Sequence, residues 1–189
     1  REPIVSDLTT RFIVPGKTLA EISKLLKEED EEAYLALSQK HIVFRIGGYY
    51  VVSRLLEGEF LDYNAAIPKV SKTTVKINTR SLTDAVERTS LLISDRLRSP
   101  IRLSAMDQKV QLNCSTSMGK AHDEVDCEMS GEAVSMGFNN KYLMDALKAS
   151  DCDMVKLEIN GALSPMRILP LEGESFLFLV LPVRVKNDD

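Results

Sequence analysis

The sequence has 189 residues, of which 44% are hydrophobic and 28% are charged, and its formal net charge is −4. This length allows one domain or two small ones, and the composition is that of an ordinary globular protein. No apolar stretch is long enough to span a bilayer, nothing resembles a signal peptide, and the acidic balance gives no indication of nucleic acid. Three widely spaced cysteines without a CxxC pair predict reduced thiols in a cytoplasmic protein.

The chain begins with a strand, a helix and three further strands. Pro15-Gly16 ends the first strand, apolar residues then recur with helical spacing, and Gly47-Gly48 predicts a tight hairpin. The strands of this first unit are predicted at 11–14, 33–39, 41–46 and 49–56, and its helix at 17–27. The polar segment 57–72 is predicted to be a linker.

The same order of elements recurs twice, so the chain contains three units of about sixty residues each. The second unit is predicted to have strands at 74–78, 101–105, 110–115 and 124–130, with a helix at 79–94. The third is predicted to have strands at 133–138, 154–159, 165–169 and 175–184, with a helix at 139–149. One unit alone cannot easily bury both its sheet face and its sheet edges. We therefore expect half a domain with its linker at 1–68, followed by a complete two-unit domain at 69–189.

The apolar run 176–185 closes the chain and is rich in aromatic and β-branched residues, which is typical of a buried strand. Pro182 cannot donate to a sheet ladder, so pairing is expected to stop near it or the strand lies at an edge there. Two interpretations follow from the residues alone. The run is a core strand throughout, or its end lines a groove for a partner.

Each predicted helix carries basic residues on the side opposite its apolar residues, while acidic residues concentrate at 28–32, 123–128 and 172–174. Such a face is either simply solvated or makes phosphate contacts that carry no sequence information. In the second helix Leu91 points away from the apolar face, which indicates either an ordinary exposed leucine or a protein contact.

Sequence patterns for catalysis are few. His41 and His122 are far apart, and no second cluster completes a metal-ligand set around His122. No phosphate-binding glycine loop, GxSxG elbow or HExxH motif is present in the sequence. We therefore expect a protein that is not an enzyme and that requires no cofactor.

Four motifs together resemble the bacterial DNA sliding clamp, the β subunit of the DNA polymerase III holoenzyme. They are FIVPGKTLAEI at 12–22, EGEFLDYNAAIP at 57–68, GFNNKYLMDAL at 137–147 and LPVRV at 181–185. The resemblance implies an α+β DNA-clamp fold of repeated strand–helix–strand–strand–strand units, with antiparallel sheets outside and helices on the inner face. Residues 1–68 would then be the second half of the clamp middle domain plus linker, and 69–189 the complete C-terminal domain.

The resemblance also implies a function. An intact clamp is a processivity factor that encircles duplex DNA as a homodimer, without sequence specificity. It tethers polymerase subunits, the clamp loader and repair proteins through short linear motifs that bind a hydrophobic pocket between the second and third domains. The alternative is a stand-alone, truncated peptide-binding module or regulator that cannot close a ring.

Particular residues acquire roles from this resemblance. The partner-peptide pocket would contain Leu61, Ala65, Ala66, Asn139, Tyr142, Leu163, Pro165, Leu179, Val180, Leu181, Pro182, Val183, Arg184 and Val185. The DNA-facing residues would be Lys17, Lys24, Lys27, Arg80, Arg88, Lys141 and Lys148. Leu91 and Leu92 would lie in the subunit interface.

Overall fold

A computed structural model describes residues 9–26, 32–93 and 99–184 of the chain. The chain divides into two compact parts, Arg1–Asp62 and Tyr63–Asp189. We call them the first unit, which contains the first of the three predicted repeats, and the C-terminal unit, which contains the other two. None of the described helices is long and apolar enough to cross a membrane.

The first unit contains one helix and a three-stranded antiparallel sheet in the order β1-β2-β3. Its elements are α1 (Gly16–Leu25), β1 (Ala33–Leu37), β2 (His41–Ile46) and β3 (Tyr49–Arg54). Ile22 of α1 packs on Ile42, Phe44 and Ile46 of β2 to form a small core. The predicted strand at 11–14 is reduced to a single bridge between Ile13 and Leu56.

The C-terminal unit begins with a 3₁₀ turn at Tyr63–Ala66 and contains two helices and nine strands among its described residues. The elements of its first repeat are β4 (Thr73–Asn78), α2 (Thr79–Ser90), β5 (Ile101–Met106), β6 (Lys109–Thr116), β7 (Gly119–Asp126) and β8 (Glu128–Gly131). Those of its second repeat are β9 (Val134–Phe138), α3 (Asn140–Lys148), β10 (Met154–Ile159), β11 (Met166–Pro170) and β12 (Phe178–Val180). The helix predicted at 79–94 is shorter, because it ends at Ser90 with Leu91 as its C-cap; residue 94 lies outside the described residues.

The two repeats of the C-terminal unit exchange their first strands. One sheet has the order β12-β11-β10-β4-β8 and the other has the order β7-β6-β5-β9. Thus β4 of the first repeat pairs with β10 of the second, and β9 of the second pairs with β5 of the first. Apolar residues from both sheets and both helices share one core, so neither repeat buries its apolar face without the other.

Cys127 separates two strands that belong to different sheets. The sequence predicts one strand at 124–130, and that prediction is wrong: β7 pairs with β6, whereas β8 pairs with β4. Gln108 supports the crossing, since its side chain accepts a hydrogen bond from Met129 N at 2.8 Å and donates one to Met129 O at 3.0 Å. The backbone of Gln108 is in the left-handed region (φ 60°), which favours glycine. The two hydrogen bonds of its side chain explain why glutamine occupies this turn position.

The terminal segment crosses between sheets in the same way. The strand predicted at 175–184 is shorter, because only Phe178–Val180 pairs with β11. Beyond Pro182, the backbone N–H of Val183 donates to the carbonyl oxygen of Gly137 on β9 at 2.8 Å. Pairing with β11 therefore stops just before Pro182, as its missing N–H predicts. Phe176 and Phe178 stack with ring centroids 5.0 Å apart and pack on the core.

Candidate partner-binding groove and helix surface

A shallow apolar hollow lies between α3 and the terminal segment. It has a volume of about 560 Å³. Its lining residues are Tyr142, Asp145 and Ala146 from α3, and Leu177, Phe178, Leu179, Val180 and Leu181 from the terminal segment. Leu181 is 62% exposed and Val180 is buried, so leucine side chains form the rim and Val180 lies at the base. Such a hollow can bind an apolar side chain.

A second, more polar hollow of about 820 Å³ begins where α3 begins. Its lining includes Asn139, Tyr142, Asp145, Val183 and Arg184, together with residues from the end of α2 and from the start of β5. Tyr142 and Asp145 line both hollows. We call the two hollows together the α3 groove.

Local sequence explains how the α3 groove is held. Phe138 at the end of β9 is fully buried, which fixes the start of α3. Asn139 is the N-cap, and its side-chain oxygen accepts a hydrogen bond from Lys141 N at 3.0 Å. One turn into the helix, Leu143 is buried while Tyr142 is 61% exposed. The helix thus presents Tyr142 to solvent from a fixed backbone.

The structure brings together part of the pocket that the sequence predicts. Seven of those residues line the α3 groove: Asn139, Tyr142, Leu179, Val180, Leu181, Val183 and Arg184. Five others of the C-terminal unit line neither hollow, namely Ala65, Ala66, Leu163, Pro165 and Pro182. Leu61 belongs to the first unit, and Val185 lies outside the described residues.

Sequence reasoning missed several residues of the α3 groove. Asp145 lies three residues after Tyr142, a spacing that places both side chains on one helix face. Leu177 alternates with Leu179 and Leu181 along the terminal segment, so strand periodicity would have placed it with them. Ala146 belongs to the core, and Phe178 and Met144 pack against it; all three also line the groove.

The basic residues predicted to face DNA fall into two groups. Lys24 pairs with Glu21 at 2.9 Å, and the Arg88 Nε–H donates to Asp123 Oδ2 of β7 at 2.7 Å. Four others are exposed and make no ion pair with any described residue: Lys17, Arg80, Lys141 and Lys148. Lys27 lies outside the described residues.

The pairing of Arg88 with Asp123 predicts a pH dependence. The hydrogen bond from Arg88 holds the pKa of Asp123 below its ordinary value. Because the folded-state pKa is depressed, this pair stabilises the fold above the unfolded-state pKa, and its contribution is lost as pH falls through the folded-state pKa. Asp123→Asn should therefore lower the urea midpoint at neutral pH, with the difference from wild type vanishing in acid. Asp126→Asn, an exposed carboxylate on the same strand, is the control; an equal deficit at both pH values would contradict the assignment.

Leu91 and Leu92 lie at the end of α2. Leu91 is 80% exposed, in agreement with the outward position that helical periodicity predicts, while Leu92 is partly buried beside Gly119. Elsewhere, His122 Nδ1 lies 2.8 Å from Asn113 Oδ1, and the described residues contain no group of three side chains that could hold a metal ion.

Exchanged first strands, paired antiparallel sheets and packed helices define a protein of the DNA-clamp class. Comparison with known proteins gives the family. Residues 64–184 match the family described as DNA polymerase III beta subunit, C-terminal domain, and residues 3–62 match the central domain of the same subunit. The chain belongs to the DNA polymerase III beta subunit family.

Individual relatives agree with this assignment. The beta sliding clamp of Staphylococcus aureus (strain Mu50 / ATCC 700699) is 34% identical over 174 residues, which cover 91% of this chain and 46% of that protein. The sliding clamp of Bacillus subtilis superimposes with a TM-score of 0.90 at 30% identity, covering 97% of this chain and 49% of that one. A clamp of Bartonella birtlesii bound to griselimycin superimposes with a TM-score of 0.85 at 29% identity, covering 92% and 47%. The chain spans about half the length of the curated relatives it matches.

Proposed function

We propose that this chain is the peptide-binding part of a DNA polymerase processivity clamp. Residues 1–68 would be the second half of the middle domain plus linker, and 69–189 the C-terminal domain. The observation that carries the proposal is the α3 groove, in which Tyr142, Leu181 and Val183 present apolar surface from a buried scaffold. The role is non-catalytic and belongs in the cytoplasm with the replication machinery.

The partners we propose are short linear segments of polymerase subunits, the clamp loader and repair proteins. The first hollow suits an apolar anchor, and Leu181 is exposed enough to lose water on binding. Burial of two or three such anchors gives a Kd of about micromolar, which is appropriate for partners that replace one another on the same groove. Arg184 and Lys141 of the second hollow add cationic groups that favour acidic residues in the same peptide.

For duplex DNA we propose loose contact with phosphates through the helix cations that form no ion pair with a described residue. Lys17, Arg80, Lys141 and Lys148 keep their charges exposed, whereas Arg88 is engaged by Asp123. Contacts of this kind carry no sequence information and weaken as salt rises. For the full-length protein we propose a homodimer that closes a ring around DNA. Leu91 and Leu92 would lie in its subunit interface.

Peptide titration tests the groove directly. A fluorescein-labelled clamp-binding peptide from a replicative polymerase should bind the 189-residue chain with a Kd of about 1–100 µM by fluorescence anisotropy. Leu181→Ala combined with Val183→Ala removes apolar rim from both hollows. The affinity should fall about tenfold, because about 1.4 kcal/mol of apolar burial is lost.

A matched double variant controls for nonspecific effects of removing exposed apolar side chains. Met118 and Val52 are 73% and 63% exposed and line neither hollow. Met118→Ala with Val52→Ala should bind the peptide as wild type does. Equal affinity for wild type and for Leu181→Ala/Val183→Ala would refute the proposed site.

A further inference from the structure

The sheet of the first unit has two faces, and its small core is built on one of them. Ile42, Phe44 and Ile46 of β2 point toward α1 and belong to that core. The residues between them, Val43 and Arg45, point to the other side, because side chains alternate along a strand. We call this other side the outer face of the sheet. The outer face therefore takes no part in the small core.

An arginine between two tyrosines crosses the outer face. Arg45 lies opposite Tyr34 of β1 in one strand pairing and opposite Tyr50 of β3 in the other. The guanidinium carbon of Arg45 is 5.5 Å from the ring centroid of Tyr34 and 5.9 Å from that of Tyr50. Both distances are in the range of a cation–π contact. The two tyrosines are 56% and 68% exposed. We call these three residues the Tyr-Arg-Tyr row.

The positive charge of Arg45 is not neutralised within the described part of the chain. Its side chain forms no ion pair and no hydrogen bond with a described residue. A ring contact uses the face of a guanidinium, whereas its N–H donors lie in the plane. These donors therefore remain able to bind an anionic oxygen. The acidic group joined to the row is Glu32, which accepts a hydrogen bond from the Tyr34 hydroxyl.

Two basic residues on the strands of the C-terminal unit show the alternative arrangement. Lys109 of β6 pairs with Glu124 of β7, and Arg167 of β11 pairs with Glu158 of β10. Each of these cations thus has a carboxylate on a neighbouring strand, whereas Arg45 has tyrosine on both neighbouring strands. The row therefore keeps available a charge that those strand pairs cancel.

The shape of the Tyr-Arg-Tyr row favours planar groups in a ligand. None of its three residues lines the α3 groove or the hollow of about 880 Å³ that other residues of the first unit form. The anchoring side chains of a bound peptide enter hollows, whereas the bases of a single strand stack on aromatic rings that project from a sheet. Stacked bases leave the phosphates between them available to a cation. Rings and charge together therefore favour a single-stranded nucleic acid over a peptide.

We propose that the Tyr-Arg-Tyr row binds single-stranded DNA, with bases stacked on Tyr34 and Tyr50 and a phosphate bound by Arg45. The two tyrosines are two strand spacings apart, about 10 Å, so each can carry a different base. Stacking of this kind reads no sequence. The choice of DNA over RNA rests on the proposed function, because a DNA polymerase copies a single-stranded DNA template; the site itself rests on the sheet alone.

Fluorescence anisotropy with a fluorescein-labelled thymidine oligonucleotide of about 12 nucleotides tests the site on the full chain. At about 50 mM salt we expect a Kd of about 10–100 µM. Tyr34→Leu combined with Tyr50→Leu should weaken binding at least about tenfold, because both stacking surfaces are lost. Circular dichroism should be unchanged, since both side chains are exposed.

Tyr49→Leu is the matched control for loss of an exposed ring. Tyr49 is 59% exposed, but it lies opposite the buried Ile46 and so points away from the outer face. It should bind the oligonucleotide as wild type does. Equal affinity in wild type and in the double variant, or an equal loss in Tyr49→Leu, overturns the proposal.

Charge substitutions test the phosphate contact separately from stacking. Arg45→Gln should weaken binding and reduce the slope of log affinity against log salt by about 0.7, which corresponds to one phosphate of a single strand. Glu32→Gln keeps an acceptor for the Tyr34 hydroxyl and removes a repelling charge, so it should strengthen binding. An unchanged salt slope in Arg45→Gln, or weaker binding in Glu32→Gln, contradicts an anionic ligand at this row.

Other ligands measured on the same variants establish which molecule the row binds. Bases within a duplex cannot stack on the rings, so Tyr34→Leu/Tyr50→Leu should leave the affinity for duplex DNA unchanged. A uridine RNA oligonucleotide that binds more tightly than DNA, or a polyglutamate peptide that displaces DNA at equal concentration, overturns the assignment to single-stranded DNA. If the peptide titration of the α3 groove fails while tyrosine-dependent DNA binding persists, the proposed function is wrong and this site remains.

Discussion

Replacing Phe138 by alanine is expected to destabilise the C-terminal unit by about 3–5 kcal/mol. Phe138 is the largest fully buried side chain of the described residues, and it lies opposite Ile101 where β9 meets β5. Truncation removes its apolar burial and leaves a cavity that the two packed sheets can close only in part. Because Phe138 precedes the N-cap of α3, the start of the helix that carries Tyr142 should also loosen.

Hydrogen exchange across 101–116 is the suitable measurement, since these core strands report the unfolding of their own unit within the full chain. Met118→Ala, at the tip of the β6–β7 hairpin, is the control and should change stability by less than about 0.5 kcal/mol. Peptide affinity should fall in Phe138→Ala as α3 loosens. A loss of stability below about 1 kcal/mol would show that Phe138 does not hold the two repeats together.

Gly131→Ala is the second large effect, and we expect a destabilisation of about 3 kcal/mol or more. Gly131 ends β8 opposite Thr73, with φ near 100°. A Cβ there would lie 2.0 Å from the carbonyl oxygen of Lys72, so the backbone of β4 would have to move. The substitution should weaken the pairing that attaches β8 to the five-stranded sheet.

Gly161→Ala separates this clash from backbone strain alone. Gly161 also has a positive φ, 138°, but a Cβ at that position meets nothing within 4 Å. Both variants carry the strain of an unfavourable backbone, and only Gly131→Ala carries the collision. Urea unfolding followed by circular dichroism compares them. If Gly131→Ala is no more destabilised than Gly161→Ala, the close approach of a residue-131 side chain to Lys72 does not account for the loss of stability.

The local sequence pattern was sufficient to predict the helices and most of the strands. All three predicted helices are present, because each has an apolar face that a partner layer buries: Ile22 in α1, Leu82 in α2 and Leu143 in α3. The predicted hairpin at Gly47-Gly48 is confirmed, since both glycines have positive φ between paired strands. The order of the repeats also followed from the sequence, because each repeat is one supersecondary element.

The assignment of strands to sheets could not be read from the same pattern. From 121 to 130 burial alternates without interruption, although the chain leaves one sheet at Asp126 and enters the other at Glu128. Periodicity of two reports which face of a strand is buried, and that face is the same on both sides of Cys127. Which partner strand lies beside it depends on residues far away in sequence.

The residues of the α3 groove could be predicted only where the family resemblance pointed to them. The resemblance led to Tyr142, Leu181 and Val183, which the structure places on the groove. Leu163 was expected there too, but it is in the turn between β10 and β11 and lines neither hollow. The terminal run was expected either to be core throughout or to line a groove at its end. Phe176 and Phe178 pack on the core, Val180 is buried, and Leu181 at the far end is exposed.

The exchange of first strands has a consequence for synthesis on the ribosome. β4 ends at Asn78, whereas its partner β10 lies at Met154–Ile159, about 80 residues later in the chain. At roughly 5–20 residues per second, the edge of β4 that pairs with β10 waits on the order of 4–16 s before β10 has been made. During that interval an apolar strand with a free edge is open to mispairing. The two sheets of the C-terminal unit can therefore be completed only after the second repeat has been made.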